Sequence, residues 1–366
     1  MYYNIYILTL LVHLFTTVSS FLNGFHSVLY YTRHEGTLHD FLYFYNRHVP
    51  AEARNITRID PNAFSGFGLN VHRGWEIIKK FPFLKELFFS YEIIIVSDTI
   101  PDAIPFLLLK QLYPDSKCNI ILQVTNRFDF HVRALNPYYE LIRSITIIPR
   151  IFWIINNPYE LEYMKERRVY INATIVRPFG ESQITALKPT RSINSCVYNE
   201  RKQLDKIWTK KGTRRIKENL ESLPLQYGGP KTLSLYKCFV FIPYQVSVMK
   251  MAENMAAGVI TLIPSAHFLE ELARDFKKQI PDIFNAIESH RNGTWEMFIE
   301  FYHPRYREFF YHFKSWNDLQ RLVNLEKYQL DHRNVAAASR AFSLLDREVQ
   351  FNNMKAFFRK EQIHLF

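Results

Sequence analysis

The chain has 366 residues, 48% of them hydrophobic and 22% charged, with a formal net charge of +11. This is globular composition with ample material for a core, and it holds no internal repeat or low-complexity tract. Three cysteines (Cys118, Cys196 and Cys238) are too few for a disulfide scaffold, and no C-x-x-C or His/Cys cluster has zinc spacing, so no metal is expected.

In chain order, residues 2–20 carry an apolar run from Ile5 to Val18, and Val18 and Ser20 suit a signal-peptidase site. The run is short for a membrane span. A cleaved signal peptide over 1–20 is expected, with an uncleaved anchor and a buried strand as alternatives. Sequons at Asn55, Asn172 and Asn292 fit secretory entry and a glycoprotein. Cys118 and Cys238 open apolar runs and read as buried thiols; one disulfide with an odd cysteine is the alternative.

From residue 26 short apolar runs alternate with helical patterns, as in a parallel sheet with crossover helices. Strands are expected at Ser27–Tyr31, Glu92–Val96, Asn119–Val124, Arg150–Ile155 and Thr174–Arg177, with helices to Asn46, over Pro101–Leu112, near Tyr138–Ile145 and to Glu166. Their polar carboxyl ends carry His34, Glu35, Asp98, Asp102, Arg127, Asp129, Asn156, Asn157 and Glu160, candidates for one shared cleft. Taken singly, such residues more often cap or turn the chain, and Asp98 and Asn157 read as N-caps. Residues 181–195 are polar and aperiodic, the pattern of a linker.

The alternation restarts at Cys196–Tyr198, with helices to about Leu220, a strand near Leu225–Tyr227 and a turn at Gly228-Gly229-Pro230. Eight basic residues stand against three acidic ones between Tyr198 and Leu220. With no nucleic-acid motif that interleaves aromatics with these charges, and behind a secretory start, they read as a solvated helix face, and no nucleic-acid partner is expected. The strand Cys238–Ile242 then leads into a helix with Val246, Met249 and Glu253 on one face, ended by Gly258, and a strand Val259–Ile263 follows. Such a βαβ unit offers helix amides at a strand's carboxyl end, where anions bind. An aromatic-rich stretch fills 290–330, and a long helix covers 334–360.

The segment E-N-M-A-A-G-V, from Glu253 to Val259, resembles the donor-site helix of nucleotide-sugar-dependent glycosyltransferases of the GT-B fold. Retaining members place a first Glu eight residues before the second. Here that position is Gln245, directly after Pro243-Tyr244. The resemblance implies two Rossmann-like α/β domains facing a cleft. These are an acceptor-side domain over 21–180 and a donor domain over 196–330, with the helix of 331–366 packing back across the junction. It implies metal-independent glycosyl transfer from a nucleotide diphosphate sugar, used as co-substrate and with no cofactor. The acceptor would be a glycan, protein or lipid, the setting the endoplasmic reticulum or Golgi lumen or the exterior, and the N-terminal segment a possible membrane attachment. No D-x-D motif of the other major glycosyltransferase fold is present.

The same resemblance assigns roles. Glu253 would hold the donor ribose, and Ser247, with Gln245 and Tyr244 beside it, would meet the pyrophosphate. Arg201 and Lys206, five residues apart after the first strand of this half, would neutralise the leaving diphosphate. Tyr227, Gly228 and Gly229 would form a base-contacting turn. An inverting reaction needs a general base, for which Asp98, Asp129, His34 and Glu35 compete. Gln245 in place of a carboxylate also admits a non-catalytic nucleotide-sugar- or glycan-binding protein on the same fold.

Overall fold

A computed structural model describes residues 27–63, 69–181, 194–199, 201, 204–208, 216, 218–224, 226–290, 293–331, 333–363 and 365. The expected signal segment, Asn292 of the third sequon and nearly all of the expected linker lie outside them. The chain divides into two compact units, one comprising residues up to Arg177 with Phe351–Phe366, the other Pro178–Gln350. The fold is α/β, with a parallel sheet in each unit.

In the first unit the strands are β1 (Val28–Thr32), β2 (Ile56–Ile59), β3 (Ile93–Ser97), β4 (Asn119–Val124), β5 (Ile151–Ile155) and β6 (Ala173–Ile175). They pair in parallel in the order β2-β1-β3-β4-β5-β6. β1 and β3 are buried at every position, as strands covered by helices on both faces must be. That explains their unbroken apolar runs. β2 and the helices Val71–Lys80 and Phe83–Ser90 were not anticipated. β2 is a half-exposed edge strand interrupted by Arg58. Asn172 is exposed immediately before β6. The C-terminal phenylalanines belong to this core: Phe351 packs 5.8 Å from Phe44, and Phe357 meets Phe152 edge-on.

In the second unit β7 (Cys196–Asn199), β8 (Leu220–Leu223), β9 (Cys238–Val240), β10 (Thr261–Pro264) and β11 (Tyr311–Phe313) pair in parallel in the order β11-β10-β9-β7-β8. Several expectations are corrected here. Leu220 opens a strand instead of closing a helix, and Gln226 and Tyr227 lie outside any strand. A charged residue hides β8: the buried Glu221 accepts hydrogen bonds from Tyr236 (3.1 Å) and Ser195 (3.2 Å). Val246 is not helical. The helix runs Met249–Ala257, and the Val246 carbonyl accepts the Glu300 N–H (3.0 Å) instead. Gly258 ends that helix at φ 67°, the left-handed turn glycine permits. Cys238 is not a thiol. Cys196 and Cys238 are register partners on β7 and β9 and form a disulfide, while Cys118 is free and buried.

Among the described residues no helix is long and apolar enough to cross a membrane, and no group of three metal-ligating side chains forms.

Candidate functional site

In the second unit the strand order reverses between β7 and β9. Open α/β sheets bind ligands outside the carboxyl ends of strands at such a reversal. Arg201 follows β7 and Tyr244 follows β9. The Arg201 guanidinium lies 4.1 Å over the Tyr244 ring, an attractive cation–π geometry. In the first turn of Met249–Ala257, the Lys250 ammonium sits 4.4 Å above the Tyr227 ring and 5.1 Å from the Phe239 ring. Glu253 follows one turn later. Neither Lys250 nor Glu253 makes a hydrogen bond or ion pair with a described residue.

Their electrostatics reflect that isolation. Burial, with Arg201 adding to it, pushes Lys250 down to about 7 against the pull of Glu253. Burial likewise lifts Glu253 to about 7, with Lys250 opposing and Glu181 adding. Both side chains keep part of their surface in solvent, which damps the size of these displacements and not their direction. Glu181 is itself paired with Arg347 (3.3 Å). The Tyr227 phenol is raised by burial first and by Glu253 next, against Arg201. Arg201, Tyr227, Tyr244, Lys250 and Glu253 therefore form one electrostatic neighbourhood.

Backbone geometry holds this neighbourhood. Gly228 and Gly229 both lie at positive φ, 85° and 72°, and the Gly228 carbonyl accepts from the Thr232 hydroxyl (3.0 Å). Gly180 lies against the helix that carries Lys250 and Glu253, where a Cβ would stand 2.7 Å from the Ala252 carbonyl oxygen. Ser247 is committed elsewhere: buried, it donates to the Glu300 carboxylate at 2.6 Å. Gln245 is half-buried on the same approach to the helix. Lys206 is exposed on the short helix Asp205–Trp208. The structure thus gathers Arg201, Tyr244 and Glu253, adds Lys250, and sets Ser247 against Glu300. Lys250 had a readable signal, its place in the first turn of the βαβ helix. Glu300 had none, since it reaches Ser247 from 53 residues away.

In the first unit the order reverses between β1 and β3. Arg33, after β1, grips Asp102 with Nε and Nη2 at 2.6 and 2.8 Å, both side chains almost fully buried. His34 caps the helix Glu35–His48, its Nδ1 accepting from the Thr37 N–H (3.3 Å). Glu35 is exposed and pairs with Arg58 and His39. Asp98, half-buried at the end of β3, does not cap a helix. It sits at φ 71° with its carboxylate accepting from the hydroxyls of Thr99 (3.1 Å) and Thr125 (3.2 Å). A left-handed non-glycine residue of this kind concentrates at functional sites.

Asp129 is enclosed. It accepts from Tyr139 (2.6 Å) and Tyr163 (3.0 Å), with Arg127 and Arg167 each 3.7 Å away. Burial first, then the bond to Asp129, pushes the Tyr139 phenol up to about 12, so it stays a donor. Asn156 donates to the Thr125 carbonyl (3.1 Å), Asn157 caps the next turn through the Tyr159 N–H (2.8 Å), and the buried Glu160 accepts the Phe128 N–H (3.3 Å).

No family model matches the chain, and no curated protein matches it. Among solved structures, the chain is similar to a Listeria monocytogenes protein described as a UDP-N-acetylglucosamine 2-epimerase, with TM-score 0.47, 8% identity, and 92% of this chain and 97% of that one covered. It is also similar to a UGT transferase from Siraitia grosvenorii solved with UDP, with TM-score 0.44, 11% identity, and coverage of 92% and 100%. At such scores the likeness has no bearing on substrate.

Proposed function

We propose that the protein is a GT-B-like glycosyltransferase whose second unit binds a nucleotide diphosphate sugar. The observation that carries this reading is the group at the β7/β9 reversal. There, among the described residues, a half-buried carboxylate without a hydrogen bond or ion pair (Glu253) acts on Tyr227 together with a guanidinium stacked on an aromatic ring (Arg201 on Tyr244). A ligand with an anionic centre and vicinal hydroxyls supplies what each lacks: an anion for Arg201 and hydroxyl donors for Glu253.

In the reaction the acceptor oxygen bonds to the anomeric carbon as the sugar–phosphate C–O bond breaks. The electron pair leaves on the diphosphate, and the hydroxyl proton passes to a base. Charge grows on the leaving phosphate, where Arg201 would stabilise it. For the base, Asp98 is the best supported of the four candidates. It is half-buried at a carboxyl edge and held at positive φ by two hydroxyls, whereas Asp129 is saturated, His34 spends Nδ1 on a cap, and Glu35 is paired in solvent. The disulfide supports a setting in the secretory pathway or outside the cell, since such bonds persist in oxidising compartments.

The alternative, a non-catalytic nucleotide-sugar-binding protein, is favoured by one residue, Gln245 in place of a carboxylate. The two separate in one assay. UDP-, GDP- and CMP-linked sugars are incubated with the full chain and a panel of glycan acceptors, and release of free nucleotide is followed. A transferase releases nucleotide only with an acceptor present and loses that activity in Asp98→Asn; a binding protein releases none.

A further inference from the structure

We propose that Lys250 anchors the diphosphate of the ligand through a proton taken up on binding, so that the second unit holds its ligand more tightly at acid than at alkaline pH. The inference rests on the nucleotide-sugar reading and goes past it, since that reading places the diphosphate on Arg201 and leaves Lys250 without a role.

Three observations lead there. First, Lys250 is a largely enclosed ammonium with no hydrogen bond or ion pair to a described residue; its near neighbours are the Tyr227 and Phe239 rings. An ammonium has three donors, and rings satisfy none of them fully. Second, the local charges do not balance in its favour. Arg201, a cation, acts on it from the segment after β7, while Glu253 on its own helix is the one carboxylate that offsets it. Glu181, which acts on Glu253, is tied to Arg347 from the C-terminal helix. The other titratable neighbours, Tyr227 and Tyr244, have phenols raised by burial and stay neutral. Third, Asn199, the last residue of β7 and 8% exposed, has a side-chain oxygen with no hydrogen-bond partner among the described residues. A buried acceptor of this kind is satisfied by ordered water or by a ligand hydroxyl.

The consequence follows from linkage. With Lys250 near 7 in the free protein, about half the molecules carry the proton at neutral pH. An anion beside the amine favours the charged form, so binding draws the proton in. Affinity is full below pH 7 and falls as pH rises through it, by about tenfold between pH 6 and pH 8. Ionisation of Glu253 over the same range repels the anion and acts in the same direction.

The test is isothermal titration of the full chain with UDP-N-acetylglucosamine and, separately, with inorganic pyrophosphate. It is run at pH 6 and pH 8 in buffers of different ionisation heat. Wild type, Lys250→Arg and Lys250→Met are compared, with the exposed Lys277→Met as control; comparing variants cancels the ligands' own titration. The expected result is proton uptake and a roughly tenfold pH effect in wild type. Lys250→Arg keeps the charge over Tyr227 and should bind with a flattened pH profile. Lys250→Met should lose about tenfold or more at pH 6. If Lys250→Met binds both ligands within twofold of wild type, or Lys250→Arg keeps the wild-type slope, the inference is overturned and the nucleotide-sugar reading stands. If pyrophosphate binds through Lys250 and the sugar nucleotide gains nothing over it, the inference stands and that reading fails. If neither ligand binds, both are overturned.

Discussion

Replacing Glu253 by glutamine should stabilise the protein at alkaline pH while weakening its ligand site. The carboxyl is lifted from 4.5 to about 7, mainly by burial. At 1.36 kcal/mol per pH unit this displacement is worth roughly 3 kcal/mol, which the side chain's partial exposure cuts to about 1–2 kcal/mol. The unfolded chain gives up this proton first as pH rises. The penalty is therefore absent near pH 4, grows from about pH 4.5 and is complete above about pH 7. Glutamine has the same shape and no charge. Thermal melts followed by circular dichroism should give Glu253→Gln a Tm about 2–6 °C above wild type at pH 8 and equal to it at pH 4. Equal melting temperatures at both pH values, or a lower one for the variant at pH 8, would refute an unpartnered, desolvated carboxylate at this position. Glu253→Ala keeps a strong helix former but removes a charged hydrogen-bond partner. Donor affinity should drop about ten- to hundredfold, and Glu270→Ala should leave it unchanged.

Gly180→Ala should lower stability by about 2–4 kcal/mol, combining a left-handed φ of 72° with a Cβ forced against the Ala252 backbone. Gly293→Ala, at φ 79° with open space around it, should lose only about 1–2 kcal/mol, and chemical denaturation compares the two. Cys196 and Cys238 lie 42 residues apart, so the double alanine variant should lose about 4 kcal/mol. Both are almost fully buried, and mass spectrometry should find the bond resistant to dithiothreitol until the protein unfolds. Asp129→Ala strips two tyrosines and two arginines of their shared partner and should destabilise by about 3 kcal/mol, measured by urea denaturation. An unchanged midpoint would return Asp129 to the list of candidate bases.

The central strands of the first sheet were legible because burial on both faces demands continuous apolar runs, as in Ile93-Ile94-Ile95-Val96. β2, β8 and β11 were not, since each is three or four residues long and carries a polar interruption: Arg58, Glu221 and His312. The interruption of β8 is tolerated only because Tyr236 and Ser195 reach Glu221 from elsewhere in the chain. The site shows the same division. Spacing drew attention to Glu253, and the strand ends drew attention to Arg201 and Asp98. Lys250 matters because its surroundings come from Tyr227 and Arg201, distant in sequence, and periodicity carries no trace of that. Asp129 looked like an available carboxylate in a loop, but tertiary contacts from the helices Leu135–Ile145 and Tyr159–Glu166 close around it.

The claim that the second unit binds a nucleotide diphosphate sugar is tested most directly by a thermal-shift series of the full chain against UDP-, GDP- and CMP-linked sugars, run in parallel with Glu253→Ala. A ligand at 100 times its dissociation constant adds about 2.7 kcal/mol, a rise of about 5–10 °C for a unit of this size. One nucleotide class should produce that rise in wild type, and Glu253→Ala should reduce it at the same ligand concentration. No rise with any sugar nucleotide, or one that Glu253→Ala leaves intact, would contradict the claim.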